Sequence, residues 1–306
     1  MKKIIKNYLI KLKIYNNLRQ LKLRAAKDKY NDKFIFDSLN QYNLHKDNLN
    51  SIIIWSTHKG ASTLVNKPIN SISNHSKFTH FDVESDIARL SQKYQFKHKN
   101  PIQLLEKFPE VIFRKYGFIY GPIRQPVLVP NIEDYTNIFI LRDPRDLLVS
   151  FFYWITAGRQ HFSLHKQTME SSKKMKEYLL NIGLDNFCLE YVEKWIVPTF
   201  DSYKKIYDKS KNKRVLYYHE IISNNKKLLD ELMDILKINN LENEDLNNIQ
   251  KYFDFDFYQK KNENSFHMRS GKSAQFINHL SNDTINALNN KLSHIYTKWP
   301  KLDCTK

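Results

Sequence analysis

Two hydrophobic rhythms alternate along the chain. SIIIWS (51–56) is a short, unbroken apolar run rich in β-branched residues, the pattern of a strand covered on both faces in a parallel sheet. NIFIL (137–141) and RVLYYHEI (214–221) repeat it. Segments of helical period follow each run. After the first strand, a loop of small residues leads to LVNKPINSI, where Pro68 delays the helix or bends it. The second strand passes through RDPRD into LLVSFFYWITA, with Asp143 as cap and Pro144 in the first turn. Residues 170–208 read as mostly helical and aromatic, and 225–238 place leucines at i, i+3, i+4 and i+7. The last segment opens on the caps Ser281 and Asn282 and runs helical to Trp299. Strands alternating with helices predict an α/β fold: a single domain with a central, mainly parallel sheet flanked by helices. Residues 100–135 carry Pro101, Pro109, Pro122, Pro126 and Pro130 and predict loops over a site, outside the core.

The first thirty residues are basic, with Asp28 the only acid, and place Ile5, Tyr8, Leu9 and Leu12 at helical spacing. The expected division is a basic helical extension over 1–45 and one domain over 46–306. The extension either packs on that domain or makes peripheral contact with an anionic membrane surface. Lys11 and Lys13 interrupt its apolar stretch, so it does not read as a secretion signal.

Composition narrows the chemistry. Of 306 residues, 41% are hydrophobic, enough for a sizeable core. Two cysteines, Cys188 and Cys304, exclude a disulfide scaffold and a four-cysteine zinc site and predict a reducing, cytoplasmic setting. No apolar run approaches the roughly 20 residues that span a bilayer. A net charge of +17 points to an anionic partner. Charge alone does not choose between nucleic acid, lipid and small anion, and much of the excess is ordinary solvated surface. No nucleic-acid motif is present and the basic residues are not confined to one segment, so no nucleic-acid partner is expected.

Two segments carry sharper signals. The loop Ser56-Thr57-His58-Lys59-Gly60-Ala61-Ser62-Thr63 joins a strand to a helix. A helix N-terminus offers unpaired N–H groups and a partial positive charge to an anion. Small residues let phosphate approach, Ser62 and Thr63 add hydroxyls, and Lys59 adds a full charge. The order differs from GxxxxGK[ST], since the lysine here precedes the small residues. In LRDPRDLLVSFFY (141–153), Arg142 leaves the C-terminal end of a buried strand, where open α/β sheets bind ligands. Ser150 follows eight residues later, so the pair can grip one phosphate. Arg145 and Asp146 read as a surface charge pair.

These segments resemble the sulfotransferase family that uses 3′-phosphoadenosine 5′-phosphosulfate (PAPS). Lys59, Gly60, Ala61, Ser62 and Thr63 fall on its KxGTT-type loop for the 5′-phosphosulfate, with Ala61 in place of a glycine. Arg142 and Ser150 fall on the 3′-phosphate arginine and serine of its RDPRDxxxS segment. FHMRSGKSAQFINHLS (266–281) is similar to the C-terminal segment that closes over that phosphate, through Arg269, Ser270 and Gly271. Tyr218-His219-Glu220 resembles a Tyr-Glu-Asp strand end of these enzymes. The resemblance implies a P-loop-like sulfotransferase fold, PAPS as co-substrate, no metal, and in-line sulfuryl transfer to a hydroxyl or amine of an acceptor such as a glycan or small metabolite.

A base must also take the acceptor's proton. The histidine that many cytosolic members carry about twenty residues before the 3′-phosphate arginine is replaced here by Tyr120-Gly121-Pro122. Glycan-modifying members use a glutamate after the loop, which makes Glu84 the first candidate, with Asp82 and His80 behind it. His58 reads mainly as a loop-shaping residue. Arg124 and Tyr120 are candidates to face the acceptor. Phe200, Trp55 and Phe276 are aromatic candidates near adenine, each with core packing as the stronger role. The rival readings are an inactive sulfotransferase-like binding protein and a P-loop nucleotide kinase, the latter requiring a Mg²⁺ site.

Overall fold

The computed structural model describes residues 49–86, 109–157, 166–238, 241–252 and 271–305. The expected 1–45 extension, and Arg269 and Ser270, lie outside these residues.

Five strands form one sheet in the order β2-β3-β1-β4-β5. They are β1 (Ile52–Ser56), β2 (Thr79–Phe81), β3 (Phe118–Ile123), β4 (Thr136–Leu141) and β5 (Asn212–Tyr217). All four pairings are parallel. Side chains alternate across the sheet. On β1 and β4, Ile53, Trp55, Phe139 and Leu141 join one apolar cluster, and Ile52, Ile54, Ile138 and Ile140 join another. The first lies under α3 (Pro144–Thr156), α4 (Lys166–Tyr191, kinked at Gly183), α5 (Val197–Lys209) and α9 (Asn282–Lys298). The second is covered by α1 (Ser62–Ser73), α7 (Asn225–Leu236) and α8 (Asn243–Lys251). A short α2 (Pro109–Ile112) precedes β3, and α6 (Tyr218–Ser223) follows β5. This two-sided coverage explains why β1 and β4 read as continuous apolar runs.

The structure corrects three expectations. Residues 118–123 form an internal strand with all six residues buried, where loops were expected over 100–135. Proline is usually excluded from internal strands. Here the Gly121–Pro122 peptide is cis and the β1–β3 register shifts beside it. Gly121 has φ +117, and a Cβ there would meet the Ile54 carbonyl oxygen at 2.5 Å. Second, α1 begins at Ser62, six residues ahead of Pro68, so of the two effects expected of that proline the delayed start is not found. Third, β5 ends at Tyr217, so Tyr218-His219-Glu220 forms the first turn of α6 and not a strand end. Asp143 does cap α3, accepting from the Arg145 N–H, with Pro144 in its first turn.

Candidate functional site

Going outward from β1, the chain crosses to β2 and β3 on one side, then to β4 and β5 on the other. The loops after β1 and β4 therefore diverge at a switch point, and the crevice between them is where open α/β sheets hold ligands.

The loop after β1 is shaped by its backbone. Ser56 Oγ donates to the Gly60 carbonyl (3.1 Å), and the Gly60 N–H donates to the Thr57 carbonyl (2.9 Å). A Cβ on Gly60 would meet Thr57 Oγ1 at 2.3 Å, so the tight turn requires glycine there. Lys59 and Ala61 both adopt positive φ, 66° and 92°. Ala61 caps α1 with no side-chain hydrogen bond, and no acid lies in the first turn. The end of α1 thus presents backbone donors and positive dipole to the crevice. Thr63 lies in this first turn. The Lys59 ammonium sits 5.8 Å above the Trp154 ring, from the far end of α3.

Arg142, at the end of β4, closes the other side. Its Nη1 donates to the Lys59 carbonyl at 3.0 Å and its Nη2 to the Lys272 carbonyl at 3.5 Å. It stacks 4.3 Å over the Tyr218 ring and lies 3.6 Å from the Asp146 carboxylate. Its Nε is buried with no hydrogen-bond partner among the described residues. One guanidinium therefore joins the β1 loop, α6 and the segment beginning at Gly271, which also has positive φ (61°). Ser150 lies two turns further along α3, partly exposed.

The remainder of RDPRD is structural. The Arg145–Asp146 surface pair is corrected: both side chains are buried and neither pairs with the other. Arg145 bonds both Asp143 oxygens (3.0 and 2.6 Å), Asp303 (2.6 Å) and Asn289 (2.7 Å), and lies 3.9 Å over the Phe276 ring. Asp146 accepts from the Phe276 N–H at 3.1 Å, and burial pushes its carboxyl up from the ordinary value. The motif thus fastens the C-terminal segment to the end of β4, pinning Lys272 beside Arg142. Sequence reasoning missed Lys272 and Asp303, and the buried role of Asp146, since no local pattern announces partners more than a hundred residues away.

On the β2–β3 side, Arg124 follows β3 and reaches the start of α1. Its Nε donates to Ser62 Oγ (3.1 Å) and its Nη1 to Glu84 Oε2 (2.7 Å), while its backbone N–H donates to Glu84 Oε1 (2.7 Å). Asp82 accepts from Asn66 Nδ2 (2.8 Å) and the Ser85 N–H (3.2 Å). His80 faces the Gly121 carbonyl (Nε2, 2.8 Å) and Asn70 Oδ1 (3.3 Å), and burial holds its imidazole below the ordinary value. Tyr120 lies within β3. It is buried among Phe81, Phe113 and Phe118, its hydroxyl accepting from the Arg114 N–H, because its strand position points into the core. Trp55, Phe200 and Phe276 are likewise fully buried in the core.

A family model described as "Sulfotransferase domain" matches residues 49–300. No curated protein matches this chain. Among solved structures, mouse sulfotransferase SULT7A1 complexed with PAP is similar at 15% identity and a TM-score of 0.54, over 87% of this chain and 90% of that one. Retinol dehydratase in complex with androsterone and inactive cofactor PAP is similar at 14% identity and a TM-score of 0.53, over 80% of each chain. The same enzyme in a complex with retinol and PAP gives 16% identity and a TM-score of 0.53, over 87% of this chain and 86% of that one. At these identities the likeness is one of fold. The family match, covering most of the chain, says more: this protein belongs to the sulfotransferase family.

Proposed function

We propose that this protein transfers a sulfuryl group from PAPS to a hydroxyl or amine of an acceptor. The observation that carries the reading is the convergence on Arg142. Its guanidinium bonds the Lys59 carbonyl across 83 positions and reaches the Lys272 carbonyl across 130. A doubly anionic adenosine nucleotide needs cationic grips at both ends, and the residues present fit it. The first turn of α1, which the Ala61 side chain cannot cap, supplies donors at the 5′ end together with Gly60, Ala61, Ser62 and Thr63. Arg142, whose Nε has no partner among the described residues, and Ser150 supply the grip at the 3′ end, with Arg269, Ser270 and Gly271 as the residues that would close it, and with Tyr218 stacked beneath the guanidinium. Lys59 and the loop N–H groups stabilise the charge that builds on the leaving 5′-phosphate, where fixed donors act most strongly. Arg124 holds Ser62 and lines the acceptor side of the loop.

Calorimetry with adenosine 3′,5′-bisphosphate (PAP) tests the binding half of this reading. Saturable binding without Mg²⁺, and weaker binding of ATP with or without it, is expected; the reverse preference would favour a kinase. Transfer of radiolabelled sulfate to a panel of hydroxyl and amine acceptors tests the chemistry.

A further inference from the structure

We infer that His58 is the general base of the transfer, taking the proton from the acceptor's nucleophilic atom. The inference rests on the sulfuryl-transfer reading above and deepens it. Both Glu84 oxygens accept from Arg124, one from its backbone N–H and one from its guanidinium, each at 2.7 Å. Both Asp82 oxygens are taken, by Asn66 and by the Ser85 N–H. Both His80 nitrogens face oxygens, of Gly121 and Asn70. Arg124, which follows β3 and bonds Ser62, cannot accept a proton at all.

His58 differs from each of these. It lies on the loop after β1, one residue before Lys59, and is partly exposed. Its imidazole has no hydrogen-bond partner among the described residues. Three charged groups act on it electrostatically: Lys59 on its own loop, Glu84 after β2, and Arg124 after β3. Arg124 also bonds Ser62 Oγ, which ties this group to the first turn of α1, where the reacting end of the donor would rest. Burial pushes the imidazole below its ordinary value. Glu84 opposes that shift, and Arg124 and Lys59 add to it. A ring held below its ordinary value keeps a lone pair to use near neutrality, and of the three charged groups Glu84 is the one that favours the imidazolium that forms.

The acceptor's O–H proton passes to the imidazole while its oxygen forms a bond to sulfur. The bond from sulfur to the 5′-phosphate oxygen breaks, and its electron pair stays on the phosphate. The imidazolium later returns its proton to solvent.

The test uses the full chain with radiolabelled PAPS, with water and then 4-nitrophenol as acceptors. For His58→Asn, PAP affinity should stay within about threefold, while kcat for transfer to water falls about 100-fold or more. The loss should be much smaller for 4-nitrophenol, which ionises without help. Added imidazole should restore part of the water reaction in His58→Gly. In the wild type, kcat should fall as pH drops through the imidazole range; that limb should vanish in His58→Asn. It should move to lower pH in Glu84→Gln, because removing a nearby negative charge disfavours the imidazolium. If the wild type transfers sulfate and His58→Asn keeps both kcat and the acid limb, His58 is not the base, while the sulfuryl-transfer reading stands. A His58→Asn protein whose PAP affinity falls in proportion to kcat would show a structural role and overturn the proposal. A wild type that consumes no PAPS would overturn both readings.

Discussion

Ala61 carries a left-handed backbone, φ 92 and ψ 7, which an L side chain adopts at a cost. Ala61→Gly should therefore raise unfolding stability by about 1 kcal/mol, read as a higher urea midpoint with an unchanged slope. Its neighbour Lys59 is placed to act on charge that develops during reaction. Lys59→Ala should lower kcat by about 100-fold to 1,000-fold while PAP affinity changes far less. Arg142→Lys should do the opposite, weakening PAP binding by about tenfold or more with a smaller effect on turnover, because the forked donor is lost while Asp146 keeps a cationic neighbour. Stopped assays at saturating donor, set beside calorimetry, separate the two.

At the scale of elements, β1 and β4 were legible because burial on both faces makes a strand uniformly apolar. The cap of α3 was legible because Asp143-Pro144 is a local signal. Strand β3 was hidden, since Gly121 and Pro122 spell a turn in any local reading, and only the Ile54 carbonyl packed against Gly121 reveals why glycine is needed inside a sheet. Gly121→Ala should cost about 1–3 kcal/mol, seen as a lower thermal midpoint. In the site, Lys59 and Arg142 could be named from their motifs, whereas the pairing of Glu84 with Arg124 depends on how β2 and β3 stack, which no spacing encodes. The same holds for Arg145, whose partner Asp303 lies 158 positions away. Burial opposes the Asp303 charge, but bonds from Thr305 and Arg145 outweigh it and hold the carboxyl below its ordinary value. Such a group stabilises the fold above the ordinary carboxylate range and loses that contribution as pH falls through its lowered value. Asp303→Asn should thus cost about 1–3 kcal/mol near neutrality, and urea titrations should show the gap to wild type closing in acid.

Across the whole molecule, a net charge of +17 acts on every anion that approaches. PAP affinity should fall several-fold between low and high salt, about what screening over a Debye length of roughly 10 Å implies at 0.1 M; calorimetry at increasing NaCl checks this. The outermost strands described are β2 and β5. One is only three residues long, and the other carries Lys213 and Arg214 with Lys211 just ahead of it. A brief rim on one side and a like-charged rim on the other leave little template for a neighbouring copy to add its own backbone. The cationic surplus thereby has a second consequence: along β5 it sets like charges against the same rim of another copy.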